Sequence, residues 1–293
     1  MINQTEQPAR PRSRADENNV CLIGVEGAGK STCAGLIFLT ALDIANTPSS
    51  KATLLIEEKT LPIRTIADTL RKGYFPPSTP LGESFEAFLS LKFKQRVRTL
   101  AVNIGITDIA GETLREVMDY IAAGRFEMPD ADRIQDANRF VLDARSFLMV
   151  VDLQRLILYR KADSQDAEFS RFIDLLMRWK RFNKRSPRTK CIGLVFTKYD
   201  TVKNMLASDE NVSLDSDNGR HDFMNKFMPQ TSLSLRGKAT GRVINTFYSS
   251  VDLETDEDGR SSGKIRLIPG KRWPAYPVKE YTRMISWLRY VLR

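Results

Sequence analysis

Gly24-Val25-Glu26-Gly27-Ala28-Gly29-Lys30-Ser31-Thr32 fits the spacing G-x-x-x-x-G-K-[ST], whose chemistry is the holding of phosphate groups. The glycines let the backbone of Glu26, Gly27, Ala28 and Gly29 wrap closely around a phosphate with N–H groups pointing inward. An apolar run, Val20 to Gly24, leads into the loop, and a helical pattern starts at Ser31. The loop therefore meets the positive end of a helix dipole. Lys30 carries charge for the β and γ phosphates, Ser31 offers its hydroxyl to Mg²⁺, and Thr32 reaches toward the α-phosphate. Such a pattern arises by chance in about one chain in a hundred, and a strand before it with a helix after it makes accident rarer. The loop alone leaves the base undecided between adenine and guanine.

Two later segments bear on that choice. The apolar stretch Leu100 to Thr107 ends at Asp108-Ile109-Ala110-Gly111-Glu112. An aspartate at the exit of a strand can hold Mg²⁺ through water, and Gly111 can offer its N–H to a γ-phosphate without a side chain in the way. Alone this spacing means little, since it recurs at Asp256 to Gly259 with no strand ahead of it. The apolar stretch Cys191 to Phe196 runs into Thr197-Lys198-Tyr199-Asp200, which fits [NT]-K-x-D. A carboxylate such as Asp200 can accept two hydrogen bonds from the adjacent N1 and N2 donors of guanine, an edge adenine lacks, while the Lys198 stem lies along the base. A last segment, Tyr248-Ser249-Ser250, has backbone N–H groups suited to the guanine O6, but reads equally well as a plain strand end.

The elements that must position these residues follow from the pattern along the chain. Residues 1 to 18 are rich in Pro, Arg, Gln and Glu and are expected to be disordered. From residue 19 short apolar runs alternate with helical stretches, the signature of parallel strands joined by crossover helices. Strands are expected at Val20 to Gly24, Ala87 to Phe93, Leu100 to Thr107, Phe147 to Val151, Cys191 to Phe196 and Val243 to Tyr248. The second and third of these form an antiparallel hairpin. Helices are expected at Ser31 to Asn46, with Leu36, Ile37, Leu39 and Leu42 inward, and at Pro62 to Lys72, Asp166 to Phe182 and Lys279 to Leu292. Ala52 to Glu57 is an apolar run of open type. Three prolines make Gly73 to Pro80 a loop. Polar stretches near Ser208 to His221 and Asp252 to Lys264 have the composition of surface loops. The fold class is α/β, with three layers, a mostly parallel sheet carrying one antiparallel edge hairpin, and helices on both faces. One domain over 19–293 is expected, with inserts near 47–80, 113–145, 208–221 and 252–275.

This ordered set of loops, spanning residues 20 to 251, resembles the Ras-like GTPases of the P-loop superfamily. The segment inserted before the proline loop and the closing helix with Trp287-Leu288 look more like the prokaryotic double-GTPase type. The resemblance implies GTP and GDP as ligands, Mg²⁺ as cofactor, and a threonine that completes the metal shell in the GTP state. Thr79 matches best, in its proline-bounded loop ahead of the hairpin. Thr60, Thr65 and Thr69 fit less well. Two departures stand out. Glu112 holds the position of the water-orienting glutamine, and Glu26 a position that is usually glycine. No arginine stands just before Thr79, where a built-in catalytic arginine occurs in heterotrimeric G-protein subunits.

Composition narrows the classes. The chain has 293 residues, 42% of them hydrophobic, with a formal charge of +9 and a pI near 9.5. No apolar run of about 18 residues is present to cross a bilayer, and Met1 to Asn19 lacks the apolar centre of a signal peptide, so a cytoplasmic location is expected. Cys21, Cys33 and Cys191 sit in apolar stretches as core residues of a reducing compartment. The basic stretch Arg178, Lys180, Arg181, Lys184, Arg185, Arg188 and Lys190 reads as a solvated helix end that could face an acidic surface. No specific nucleic acid is expected, for no aromatic residues alternate with these charges. His221 reads as an exposed histidine. The leading function is a switch that hydrolyses GTP slowly, Lys30, Thr79, Gly111 and Glu112 acting at the γ-phosphate, and regulates a protein effector or activating partner. The alternatives are a GTP-binding scaffold that hardly hydrolyses, and an ATP-using phosphoryl transferase in which Thr197 to Asp200 is accidental.

Overall fold

A computed structural model describes residues 20–47, 52–56, 61–77, 85–94, 99–108, 111–124, 141–142, 144–159, 164–183, 188–237, 243–256 and 261–292. Residues 1–18 and Thr79 lie outside them.

The sheet holds Val20–Gly24 (β1), Ala52–Ile56 (β2), Phe85–Lys94 (β3), Thr99–Asp108 (β4), Ser146–Asp152 (β5), Cys191–Thr197 (β6) and Val243–Tyr248 (β7). Their order is β2-β3-β4-β1-β5-β6-β7, and β4, β1, β5, β6 and β7 run parallel. The expected hairpin is present, Phe85 pairing with Asp108 and Lys94 with Thr99. The apolar run left open in the sequence is β2, which extends that edge antiparallel to β3. All of β1, β5 and β6 is buried, so these strands read as continuous apolar runs rather than alternating ones.

Alternation along each strand nevertheless divides two cores. Cys21, Ile23, Phe147, Met149, Val151, Ile192, Leu194 and Phe196 face one side of the sheet, whereas Val20, Leu22, Leu148, Val150, Cys191 and Val195 face the other. The first side is covered by helices that include Gly111–Ala122 (α3) and Gln165–Phe182 (α5), the second by Lys30–Asn46 (α1), Leu61–Arg71 (α2) and Val278–Val291 (α9). The result is the three-layer α/β arrangement. Helix α5 shows why its sequence is helical. Phe169, Phe172, Ile173 and Leu176 recur at helical spacing and are buried, with Asp166 and Glu168 in the first turn and Lys180 and Arg181 in the last, matching the dipole. Each such side chain stabilises the fold by roughly 1.5–3 kcal/mol through burial.

Two glycines allow close layers. A Cβ on Gly35 would stand 2.6 Å from Leu70 and 2.7 Å from Ile66, so its absence lets α2 press onto α1. A Cβ on Gly193 would meet Leu148 at 2.7 Å and the Trp287 ring at 3.2 Å, so α9 seats its tryptophan on β6.

Three expectations are corrected. Ser208 to His221 is not all loop, for it ends the helix Tyr199–Asp209 (α6) and begins Asp217–Phe227 (α7). The Ser216 Oγ caps α7 by accepting from Gly219 N at 3.1 Å, and Phe223 and Phe227 stack with centroids 4.8 Å apart. A polar composition thus hid a capped helix, followed by Pro229–Gly237 (α8). Asp252 to Lys264 includes an antiparallel ribbon, Leu253–Thr255 (β8) with Ser261–Ile265 (β9). Lys180, counted among solvated charges, is buried and donates to the carbonyls of Leu142 at 2.6 Å and Ala144 at 2.9 Å. The chain continues as Leu267–Ile268 (β10) and Trp273–Pro274 (β11) into α9.

Candidate functional site

Apart from Thr79, which lies outside the described residues, the expected site residues stand on elements that end or begin where the parallel strands end. In open α/β sheets this carboxyl edge is where ligands bind, because the loops leaving successive strands diverge there. The loop from Gly24 to Gly29 leaves β1, Asp108 closes β4, Asp152 closes β5, Thr197 closes β6, and Ser249 follows β7. Asp108 pairs with Leu22, which brings the end of β4 beside the start of the phosphate loop. Gly111 and Glu112 open α3 just beyond it.

Each glycine of the loop has its own reason. A Cβ at Gly24 would stand 2.5 Å from the Val150 carbonyl oxygen, so β1 can pack on β5 only with glycine there. Gly27 and Gly29 have φ of 71° and 85°, the left-handed region that side chains avoid. Gly29 also stands at the N-cap position of α1, turning the chain so that the first helical N–H groups face the loop. Lys30 is buried and its Nζ donates to the carbonyls of Gly24 and Val25, both at 3.0 Å. The ammonium is thereby held inside the loop. Ser31 and Thr32 follow in the first turn of α1, and Glu26 and Gly27 are exposed at the loop's tip.

The segment Thr197 to Asp200 is stitched to that loop. Thr197 Oγ1 lies 2.6 Å from the carbonyl oxygen of Ala28 and 2.9 Å from that of Val151. Lys198 has φ of 57°, strained for a residue with a side chain, and its Nζ pairs with Asp152 Oδ2 at 2.5 Å. Asp152 is fully buried, and its Oδ1 accepts from Arg155 N at 3.1 Å, capping the short helix Leu153–Leu158 (α4). Gln165 brackets it, accepting from Asp152 N at 2.9 Å and donating to Asp152 O at 3.1 Å. Asp200 remains open to solvent at the start of α6. Partial desolvation pushes its carboxyl above the ordinary value, and the backbone of Val251, which hydrogen-bonds it, acts in the opposite direction. Asp200 and the segment after β7 therefore face each other.

That last segment is more constrained than its sequence suggests. Ser249 N donates to Phe196 O at 2.7 Å, and Ser249 O accepts from Tyr199 N at 3.3 Å. Its N–H is thus committed to the sheet, leaving Ser250 as the one of the pair suited to a base oxygen. Ser249 Oγ meets Tyr281 OH of α9 at 2.6 Å, and Tyr281 hydrogen-bonds Cys33 of α1. Burial pushes the Cys33 thiol up to about 12, Cys191 to about 11, and Tyr281 well above its ordinary value. All three cysteines are buried and none is in a disulfide.

Asp152, Arg155, Gln165 and Tyr281 escaped the sequence reading. The one signal available for Asp152 was a carboxylate at the end of an unbroken apolar run, the same signal that marked Asp108. His221 is exposed, with Arg236 Nη2 at 3.3 Å from its Nε2. No helix among the described residues is long and apolar enough to cross a membrane.

A family model described as Double-GTPase 2 matches residues 18–236, from the residues just ahead of β1 to the last turn of α8. No curated protein matches the chain.

Proposed function

The chain belongs to the double-GTPase family and is a P-loop GTPase of that type, which implies guanine-nucleotide binding; on that premise we propose a nucleotide switch that binds GTP and GDP with Mg²⁺, hydrolyses GTP, and offers a protein partner different surfaces in the two states. The observation that carries this reading is the bond from Thr197 Oγ1 to Ala28 O at 2.6 Å, which fixes the base-reading segment against the phosphate loop. A nucleotide with its phosphates in one and its base at the other needs just such a fixed separation, and pre-organisation of this kind lowers the cost of binding. In this reading the Asp200 carboxylate accepts from the guanine edge, the Lys198 stem flanks the base, and Ser250 meets O6.

The donor set fits Mg²⁺. Among the described residues no group of three His, Cys, Asp or Glu side chains could hold an ion unaided. Mg²⁺ suits such a site, because it is commonly held by one or two protein oxygens plus phosphates and water. Ser31 and Asp108 would supply those oxygens, with Thr79 as the proposed third contact of the GTP state. Bound Mg²⁺ would neutralise charge on the β and γ phosphates. Lys30 shares that task, Gly111 presents an N–H, and Glu112 stands in the first turn of α3, where an ionised carboxylate can accept from water but cannot donate. We expect Glu112 to slow turnover relative to a glutamine at that position, in a cytoplasmic setting that suits three thiols outside any disulfide. A scaffold role without hydrolysis is the second reading, favoured by the carboxylates of Glu26 and Glu112 near the same phosphate. A time course of phosphate release from GTP under single-turnover conditions separates the two: steady release supports the switch, and a flat trace with GTP still bound supports the scaffold.

A further inference from the structure

A guanidinium stands at the rim of the phosphate loop. Arg155, in the first turn of α4, is exposed, and its Nη1 donates to the backbone carbonyl of Glu26 at 3.4 Å. Its own backbone is anchored by the buried Asp152, whose carboxylate also pairs with Lys198 and whose backbone is bracketed on both sides by Gln165. The side chain thus starts from a fixed point and reaches across to the loop's tip. Its planar fork is a rigid set of N–H donors, suited to phosphate oxygens.

Charge gives this contact a meaning beyond packing. Glu26 brings a carboxylate to the tip of a loop built for phosphates, an arrangement that is repulsive unless a cation stands beside it. Arg155 is held against that residue by its backbone.

We propose that Arg155 is a built-in charge-stabilising arginine of the hydrolysis, an inference that rests on the GTP-hydrolysing reading above. In that step the water oxygen bonds to the γ-phosphorus while the bond to the β–γ bridging oxygen breaks. The electron pair stays on GDP, and the water's protons pass to the released phosphate and solvent. Negative charge grows on the bridging and equatorial oxygens, where a guanidinium fork from the same chain lowers the barrier. The site therefore carries in cis what slower switches take from a partner.

The test compares the full-length wild type with Arg155→Ala and Arg155→Lys in three measurements: single-turnover hydrolysis, affinity for a fluorescent GDP, and the fluorescence response of bound GDP to aluminium fluoride, which mimics the transferring phosphate. The expected wild-type rate is on the order of 10⁻² per second, as for a switch with its arginine in cis, against roughly 10⁻⁴ to 10⁻³ without one. Arg155→Ala should lower it about 10- to 100-fold, abolish the aluminium fluoride response, and change GDP affinity less than about 3-fold. Arg155→Lys, which keeps the charge but not the fork, should recover only part of the rate. An alanine variant with the wild-type rate and response would overturn the proposal, as would one whose defect is a loss of GDP affinity. In both cases the GTPase reading would stand, whereas a wild type that binds no guanine nucleotide would remove that reading and the arginine's role together.

Discussion

The hydroxyl of Thr197 stands 2.6 Å from the carbonyl oxygen of Ala28, so the last residue of β6 grips the phosphate loop that leaves β1. The same oxygen lies 2.9 Å from Val151 O, tying both to β5. Three strand ends are thereby locked together before any ligand arrives.

Thr197→Val keeps the shape and removes the donor, leaving two buried carbonyls without it. A typical cost is about 1–3 kcal/mol. Affinity for GDP and GTP should fall together, by roughly 5- to 150-fold, since the link serves the loop and not one phosphate. Titration with a fluorescent GDP checks this, and a loss confined to GTP would count against it.

The Asp200 carboxyl has a pKa raised above the ordinary 3.8 by desolvation, and in the proposed role it would read guanine only when ionised. Guanine-nucleotide affinity should thus fall on acidification, starting at a higher pH than an ordinary aspartate would give. Stability has the opposite sign. The folded chain binds this proton more tightly than the unfolded one, so the contribution is fully present below the unfolded value and is lost as pH rises through the folded one. Asp200→Asn should accordingly not weaken the nucleotide-free fold at neutral pH, while it reduces GTP affinity and favours xanthosine nucleotides. Thermal melting and nucleotide titration of that variant read the two effects separately.

Lys30→Ala should remove most triphosphate binding, since the ammonium is held inside the loop by the carbonyls of Gly24 and Val25. Ser31→Asn should leave a GDP-biased protein with impaired Mg²⁺-dependent GTP binding. Thr79→Ala should spare GDP affinity and change only the GTP state. A collapse of GDP binding in that last variant would make Thr79 a residue of the fold.

Asp152→Ala removes a buried carboxylate from Lys198 and from the cap of α4 at one stroke. The Lys198 ammonium left behind is partly exposed and can turn to solvent, so the stability lost is chiefly that of the helix cap, about 1 kcal/mol, and denaturant melts should shift modestly. Lys198→Met leaves the fully buried Asp152 carboxylate without its cation, so it should destabilise the fold more, by up to about 3–5 kcal/mol, and lower guanine affinity as well.

Most of this architecture was legible because buried parallel strands write unbroken apolar runs, as at Val20 to Gly24 and Cys191 to Phe196. The phosphate loop was legible for a different reason: Gly24, Gly27 and Gly29 answer to sterics that only glycine satisfies. What could not be read was long-range. The bond from Arg155 to Glu26 joins residues 129 positions apart, and that from Ser249 to Tyr281 joins two 32 apart. Neither leaves a local pattern. Helices α7 and α8 were missed because their polar residues outnumber the few, such as Phe223 and Leu235, that bind them to the core.

Base choice is the property of the proposed site that a single measurement reads most directly. A fluorescent GDP bound to the purified chain should be displaced by unlabelled GTP and GDP, and left in place by ATP at the same concentrations. Equal displacement by ATP would mean that Thr197, Lys198 and Asp200 do not read guanine, and would contradict the account at its centre.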